Sequence, residues 1–572
     1  MKHSGRITGL FRKKILILDG AMGTELQKRG LPAGVCPEAW CLANPAAVAE
    51  IHTAYREAGA DIVYTATFGA NRIKMGGYGL ENVRETNRDL AALAKRAVGA
   101  KGFVAGDIGS TGHFVEPFGD LAFEEAVAVF REQAEGLLEG GVDCFVIETM
   151  MDIQEARAAL IAVRELCDHF TIVTMTYEKH GRTLNGTDPL TALVTLQGLG
   201  ADAVGCNCSL GPDAMLGMIA AMKPHARVPL VAKPNAGLPR LVGEETVFEL
   251  DAAAFAAFGG RFAAAGVNLL GGCCGTTPAH IAALRSALAA ERPIAPASGV
   301  GAAVSSARSA QILKWEEAPI IVGGRLNAAD DEALRQALSS GEMGPVRQTV
   351  REQEKEGASI LRVKIGAPGI DEAKSLRKLL DQLAPTTRTP LLIDVGRIDT
   401  VEPILRRYPG SPLLCAAGGR EAWAGLCLVA RRYGSVPVLR CPPEAGPTVG
   451  RAAIREIIAE ARRHGFTKEG IVIDITAADA MPQPDAVRTS LDLISWCTRS
   501  VGCRTLLDLT GLGRSLPERQ WLQAALLAAA QASGLTLAVV DPAFRELMHI
   551  RAAGNFIEGR DPDAAAWRAR FG

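Results

Sequence analysis

The sequence predicts an α/β protein built as two (β/α)8 barrels in tandem. Three observations carry that prediction. Short apolar runs alternate with longer amphipathic stretches along the whole chain, which is the rhythm of βα units. Eight such runs fall in each half, the number a closed barrel needs. Small residues abound, with 61 Gly, while aromatics make up only 5%, which suits close α/β layers better than a β-sandwich.

The first-half strands are read at 14–18, 61–65, 103–106, 144–147, 171–175, 201–205, 229–232 and 266–270. Stretches such as 123–139 and 151–166 carry helical periodicity between them. Residues 1–290 therefore form the first barrel domain. Residues 291–318, rich in Pro, Ala, Ser and Gly, read as a linker. The second set of strands is read at 319–322, 359–363, 390–394, 412–415, 436–439, 471–474, 504–508 and 536–540, with helices such as 451–464 and 518–532, so 319–572 is the second barrel domain.

Composition narrows the function classes. Lys+Arg is 62 and Asp+Glu 63, a net charge of -1 that gives no support to nucleic-acid or anionic-membrane binding. No apolar stretch reaches the roughly 18 residues of a membrane span. The basic start leads through a run too short for a signal peptide into Asp19, so a cytoplasmic protein is expected. Thirteen cysteines in a large chain argue against a disulfide scaffold.

Barrel chemistry sits at the C-terminal ends of the strands. In the first half these ends supply Asp19, then Thr65, Thr67 and Asn71, then Asp107, Glu148, Thr176 and Glu178. They continue with Cys206, Asn207 and Cys208, then Asn235, then Cys273 and Cys274. Strands six and eight are separated only by strand seven, so the Cys208, Cys273 and Cys274 sulfurs can meet above the mouth. Three thiolates suit Zn²⁺, and three protein ligands leave a fourth position open, as catalytic sites do. Small buried cysteines beside a Gly-rich turn, or a vicinal disulfide, are the alternatives, since no CxxC pair is present. Cys206 alternates with Cys208 and reads as packing. A free thiol of pKa about 8.5 is mostly protonated at neutral pH, and a metal would ionise a thiol substrate. Glu148 and Asp19 could then hold an amino acid's ammonium, and the amides of the 20–23 turn its carboxylate. A salt bridge for Glu148, or a turn role for Asp19, is the plain alternative.

At this point DGAMGTEL, TATFGAN, IETM, GCNCS and GGCCGTTPAHI resemble the zinc-dependent homocysteine S-methyltransferase domain over about residues 10–290. The order of two domains resembles the N-terminal half of the cobalamin-dependent methionine synthase family. The resemblance implies Cys208, Cys273 and Cys274 as zinc ligands. It also implies Asp19, Ala21, Met22, Gly23, Thr24, Glu148 and Asn235 at a homocysteine site. No separate catalytic acid or base is expected beyond the zinc site.

The second half resembles that family's pterin-binding barrel, in GASILRVKIGAPGIDEA, PLLIDVGRIDTVEPILRRYPGSPLL and ARRHGFTKEGIVID. It departs where a pterin would be held. The family's Asp-x-Asn after strand two is Arg362-Val363-Lys364, and its Asn-Ser after strand four is Cys415-Ala416. Asn327, Asp394 and Asp474 remain as candidate contacts. Arg325, Arg362, Lys364, Arg397 and Arg440 stand instead near Asp394, Asp474 and Asp508. Pairing that fills the mouth is the expected outcome, and an anion site is the alternative.

The expected function is zinc-dependent methyl transfer to homocysteine, giving methionine. The expected donor is a methylcorrinoid on a separate protein, because the chain ends at Gly572 without a cobalamin module. A sulfonium donor (S-methylmethionine or S-adenosylmethionine) or methyltetrahydrofolate is the alternative. A non-catalytic zinc- and thiol-binding subunit of a corrinoid complex is the alternative of another class.

Overall fold

The computed structural model describes residues 4–242, 245–297, 301–441, 446–476, 484–561, 563–565 and 567–568. They form two compact units, 1–300 and 301–572. Each unit is a (β/α)8 barrel of parallel strands.

In the first unit the strands are β1 (Leu16–Ile17), β2 (Ile62–Tyr64), β3 (Phe103–Ile108), β4 (Cys144–Met150), β5 (Phe170–Met175), β6 (Ala203–Asn207), β7 (Leu230–Lys233) and β8 (Val267–Leu270). Each pairs with its neighbour in sequence, and β8 returns to β1. Hydrogen bonds from Asp61 N–H to Ile17 O (2.7 Å) and from Asp19 N–H to Ile62 O (3.1 Å) close the ring between β1 and β2. Leu18, Ile62, Ala105, Val146, Ile172, Ala203, Val231 and Leu269 point inward and fill the lumen. Side chains alternate along a strand. The next inward positions on β3, β4 and β7 are therefore Asp107, Glu148 and Lys233, with Asn207 beyond Gly205 on β6, stacked above an apolar plug. A helix, Ser4–Leu10, precedes β1, and Ile7 and Phe11 join that plug from its N-terminal end.

The second unit holds β9 (Ile320–Asn327), β10 (Ile360–Lys364), β11 (Leu391–Val395), β12 (Leu413–Ala416), β13 (Val436–Arg440), β14 (Val472–Asp474), β15 (Arg504–Asp508) and β16 (Leu537–Val540), a closed barrel in sequence order. Its interior is lined by Val322, Ile360, Leu392, Leu413, Val438, Val472, Leu506 and Val539.

The segment read as a linker is more structured than expected. Ala303–Ser305 and Ala310–Ile312 form an antiparallel hairpin. Val304 and Leu313 join the second barrel's interior, and Ser305 exchanges backbone hydrogen bonds with Ser411. The small, polar residues that suggested a linker are those a tight turn under a barrel floor also needs. Residues 298–300 lie outside the described set. A second hairpin, Pro239–Val242 with Glu245–Phe248, interrupts the connection from β7 to β8 and was not anticipated. Among the described residues no helix is long and apolar enough to cross a membrane.

One core residue is out of character. His52, on the helix Pro45–Glu57, is 0% exposed, and neither ring nitrogen has a hydrogen-bond partner. Burial depresses its pKa from 6.5 to about 4. As pH falls below 6.5 the unfolded chain takes up a proton that the native state refuses, so stability declines toward pH 4. The loss attributable to this residue is about 2–3 kcal/mol between pH 7 and 4.5. Urea unfolding at the two pH values should show that decline shrinking by this amount in His52→Leu.

Candidate active site at the mouth of the first barrel

Cys208, Cys273 and Cys274 come together as the strand ends suggested. Their sulfurs all lie within 4.8 Å of one another, and those of Cys208 and Cys274 are 3.8 Å apart. Tetrahedral bonds of about 2.3 Å to one zinc place sulfurs about 3.8 Å apart, so the donor set fits that ion. All three are free thiols, which excludes a vicinal disulfide in this structure. Cys206 is buried and separate from them.

Two loops must bend sharply to bring the sulfurs together. Cys208 and Ser209 have φ of 61° and 52°, in the left-handed region that costs non-glycine residues about 1–2 kcal/mol each. After Cys274 the reversal falls on Gly275, at φ 79°. A Cβ on Gly272 would overlap the Thr276 side chain, so only glycine admits this approach.

The exit of β7 holds both loops. Lys233 O accepts from Cys208 N–H (3.1 Å) and Pro234 O from Cys273 N–H (2.8 Å). Asn235 Oδ1 accepts from Cys274 N–H (3.1 Å), and Ala236 N–H donates to Cys274 O (3.0 Å). Asn235 was expected at the substrate. Its side-chain oxygen is instead committed to the backbone of the cysteine pair.

Asn207 links the thiols to the carboxylates. Its Nδ2 donates to Cys273 Sγ (3.8 Å), to Glu148 Oε2 (3.5 Å) and to Thr149 Oγ1 (2.6 Å). Its Oδ1 accepts from Thr149 N–H (2.9 Å) and Thr174 Oγ1 (2.8 Å). Thr149 has φ 58°, where the pairing of β4 with β5 shifts register. That bulge is the local device that sets Glu148 at the rim.

The main electrostatic feature was absent from the sequence reading. Lys233 is 3% exposed. Its ammonium is 3.0 Å from Asp19 Oδ1 and 3.9 Å from Glu148 Oε2, and 3.5 Å from the centre of the Tyr64 ring. Tyr64 N–H donates to Asp19 Oδ2 (2.7 Å). Both oxygens of Asp19 thus have a partner within the protein. Burial works against the Lys233 charge, but Asp19 and Glu148 outweigh it and keep the group protonated. Burial pushes the Glu148 carboxyl up to about 7, opposed by Lys233. Among the thiols, hydrogen bonds from Cys273 and Cys274 pull Cys208 down to about 3, while the bond to Cys208 raises Cys273 to about 11.

The 20–23 turn leads into the helix Gly23–Lys28. Ala21 N–H is already used, donating to Thr276 Oγ1 (3.2 Å). Thr24 Oγ1 is buried and has no partner.

The second barrel's mouth is different. Arg362 pairs with Asp508 and donates to Thr510 Oγ1 (3.2 Å). Arg440 pairs with Asp474 at 3.0 Å, and Lys364 lies 3.9 Å from Asp394. Arg325 and Arg397 turn instead to Glu352 (3.0 Å) and Asp399 (2.5 Å). Thr476 occupies the other oxygen of Asp474, and Asn327 bonds Asp330 and the Ala329 amide within its own turn. Of the expected contacts only Asp394 accepts no hydrogen bond among the described residues.

Residues 16–288 match the family model described as homocysteine S-methyltransferase. Methionine synthase of Mycobacterium tuberculosis is 28% identical over 570 residues, covering 92% of this chain and 47% of that protein. Methionine synthase of Mycobacterium leprae is 27% identical over 579 residues, with the same coverage. The chain thus spans about half the length of these relatives. The homocysteine methyltransferase MmuM of Escherichia coli is similar in its oxidised and metallated crystal forms. Both are 26% identical with a TM-score of 0.42, and they cover 48% and 49% of this chain and 97% and 98% of that one.

The buried pair gives a test of its own. Breaking one partner of such a pair costs about 3–5 kcal/mol, because the other charge is left unpaired. Lys233→Met should lose that much in urea unfolding, and Asp19→Asn/Lys233→Met should recover most of it.

Proposed function

We propose that the first barrel is a homocysteine S-methyltransferase that binds Zn²⁺ through Cys208, Cys273 and Cys274 and forms methionine. The observation that carries this reading is three thiols meeting at the same mouth as a buried carboxylate, within a domain matching that family. When bound there, zinc supplies the positive charge that keeps a thiol ionised at neutral pH.

The protein's own residues do the rest by placement. Glu148, not neutralised by a hydrogen-bonded cation, accepts the substrate's ammonium. Asn207 joins Glu148 to Cys273 and so fixes the distance between the amine and the reacting sulfur. The amides of Met22, Gly23 and Thr24, with the unpartnered Thr24 hydroxyl, receive the carboxylate. The substrate sulfur attacks the donor's methyl carbon in line, and the bond to the donor breaks with its electron pair leaving on the donor. No side chain needs to act as a general base.

The donor proposed is a methylcorrinoid, as the two-barrel resemblance implies. The second mouth gives a pterin donor little support: among the described residues the oxygens of Asp474 and Asp508 are taken by Arg440, Arg362, Thr476 and Thr510, and of the expected acid contacts Asp394 alone is left. Leaving such partners unmade weakens binding steeply.

Two measurements test the proposal. The purified, reduced protein should hold about one zinc per chain and form methionine from homocysteine and methylcobalamin. Turnover only with S-methylmethionine would replace the donor, and failure to take up zinc would end the enzyme reading. Cys273→Ala should lose both zinc and turnover.

A further inference from the structure

Resting on the homocysteine reading, we infer that the acceptor's ammonium is seated between Glu148 and Asp107, with Asp19 withdrawn from that seat by Lys233. Three carboxylates face this mouth, those of Asp19, Asp107 and Glu148. The ion pair and the Tyr64 amide account for both oxygens of Asp19. Asp107 is the anomaly. It is 5% exposed, and its carboxylate makes no hydrogen bond and no ion pair among the described residues. A buried carboxylate without a partner is strongly disfavoured, and native proteins keep such groups where a ligand completes them.

The strand geometry shows where Asp107 points. Ala105 and Val146 both point into the lumen, and Asp107 pairs in register with Val146 on β4. Glu148 is the next inward residue on β4, so the two carboxylates stand on adjacent strands and face the same space. Between them they hold at most one cation's worth of unmet charge once Lys233 is committed to Asp19. A primary ammonium has three N–H donors, a form that two carboxylates and one further acceptor can satisfy. The Tyr64 hydroxyl is also buried and unpartnered, on β2, where Tyr64 pairs in register with Ala105, the inward residue just before Asp107. Asp107 is thus a specificity-determining residue for an amine-bearing thiol.

The test compares homocysteine with 4-mercaptobutanoate, which is homocysteine without its amine. Both are titrated calorimetrically into the zinc-loaded wild type and Asp107→Asn. The wild type should prefer homocysteine. The variant should bind homocysteine roughly ten- to a hundredfold more weakly while binding 4-mercaptobutanoate unchanged. Zinc content should stay the same. The thermal midpoint should not fall, because the lost charge made no hydrogen bond; a purely structural role would lower it and weaken both ligands alike. Asp107→Ser serves if the asparagine variant does not fold. A wild type that binds neither thiol overturns the function proposed above, and this inference with it. A wild type that prefers homocysteine, together with a variant that keeps the preference, overturns this inference alone.

Discussion

Residues 233–236, at the exit of β7, hold the first site together. Four consecutive residues contact the backbone beside every proposed metal ligand, and the first of them also carries the ammonium that neutralises Asp19. Each such hydrogen bond contributes only about 1 kcal/mol net. Their value is geometric. Metal ligands must be placed to within about 0.5 Å, and loops that reverse through left-handed residues would not hold that placement unaided. A change in the β7 exit therefore disturbs thiols and carboxylates together, even though β7 itself contributes no sulfur.

The same segment decides the charge balance. A mouth with three carboxylates and three ionisable thiols would repel its own anions. Lys233 offsets one carboxylate from inside, and the dication that three thiolates favour would offset much of the rest. Each partner leaves the other's task incomplete: the lysine reaches Asp19 and the face of Tyr64, not the sulfurs. Tyr64 contributes a polarisable ring that a buried ammonium can rest on without a third hydrogen-bond acceptor. This is how a lysine inside a barrel remains charged where burial alone would discharge it.

Much of this was legible in the sequence, and the parts that were not share a cause. All sixteen barrel strands appear where short apolar runs placed them, because strands buried on both faces must be apolar. The three cysteines were legible because their positions after β6 and β8 are fixed by topology. Lys233 was not, since a lysine closing an apolar run looks like a strand's solvated end, and only the closed barrel turns that end inward. The contact of Asn235 was hidden for a related reason: its oxygen meets a backbone amide distant in sequence. The hairpin at 303–312 was hidden because turn-forming and linker-forming compositions coincide.

The two mouths show how one architecture can be either a site or a closed end. Both carry inward charges one layer above an apolar plug, so burial alone does not distinguish them. In the second barrel Arg362 and Arg440 meet Asp508 and Asp474, and threonines take the spare oxygens. Such pairs offset their desolvation only when every lone pair is met, and here nearly all are, which leaves little for a ligand to gain. In the first barrel the accounting is left open at Asp107, Tyr64 and Thr24, whose buried polar atoms find nothing within the protein. Those three atoms are set on β3, on β2 and after β1, around the space that the thiols and Glu148 also face. A fold bears unmet polar groups at a cost, and three of them at the first mouth, against Arg362 Nε at the second, mark where a polar ligand would release the more binding energy.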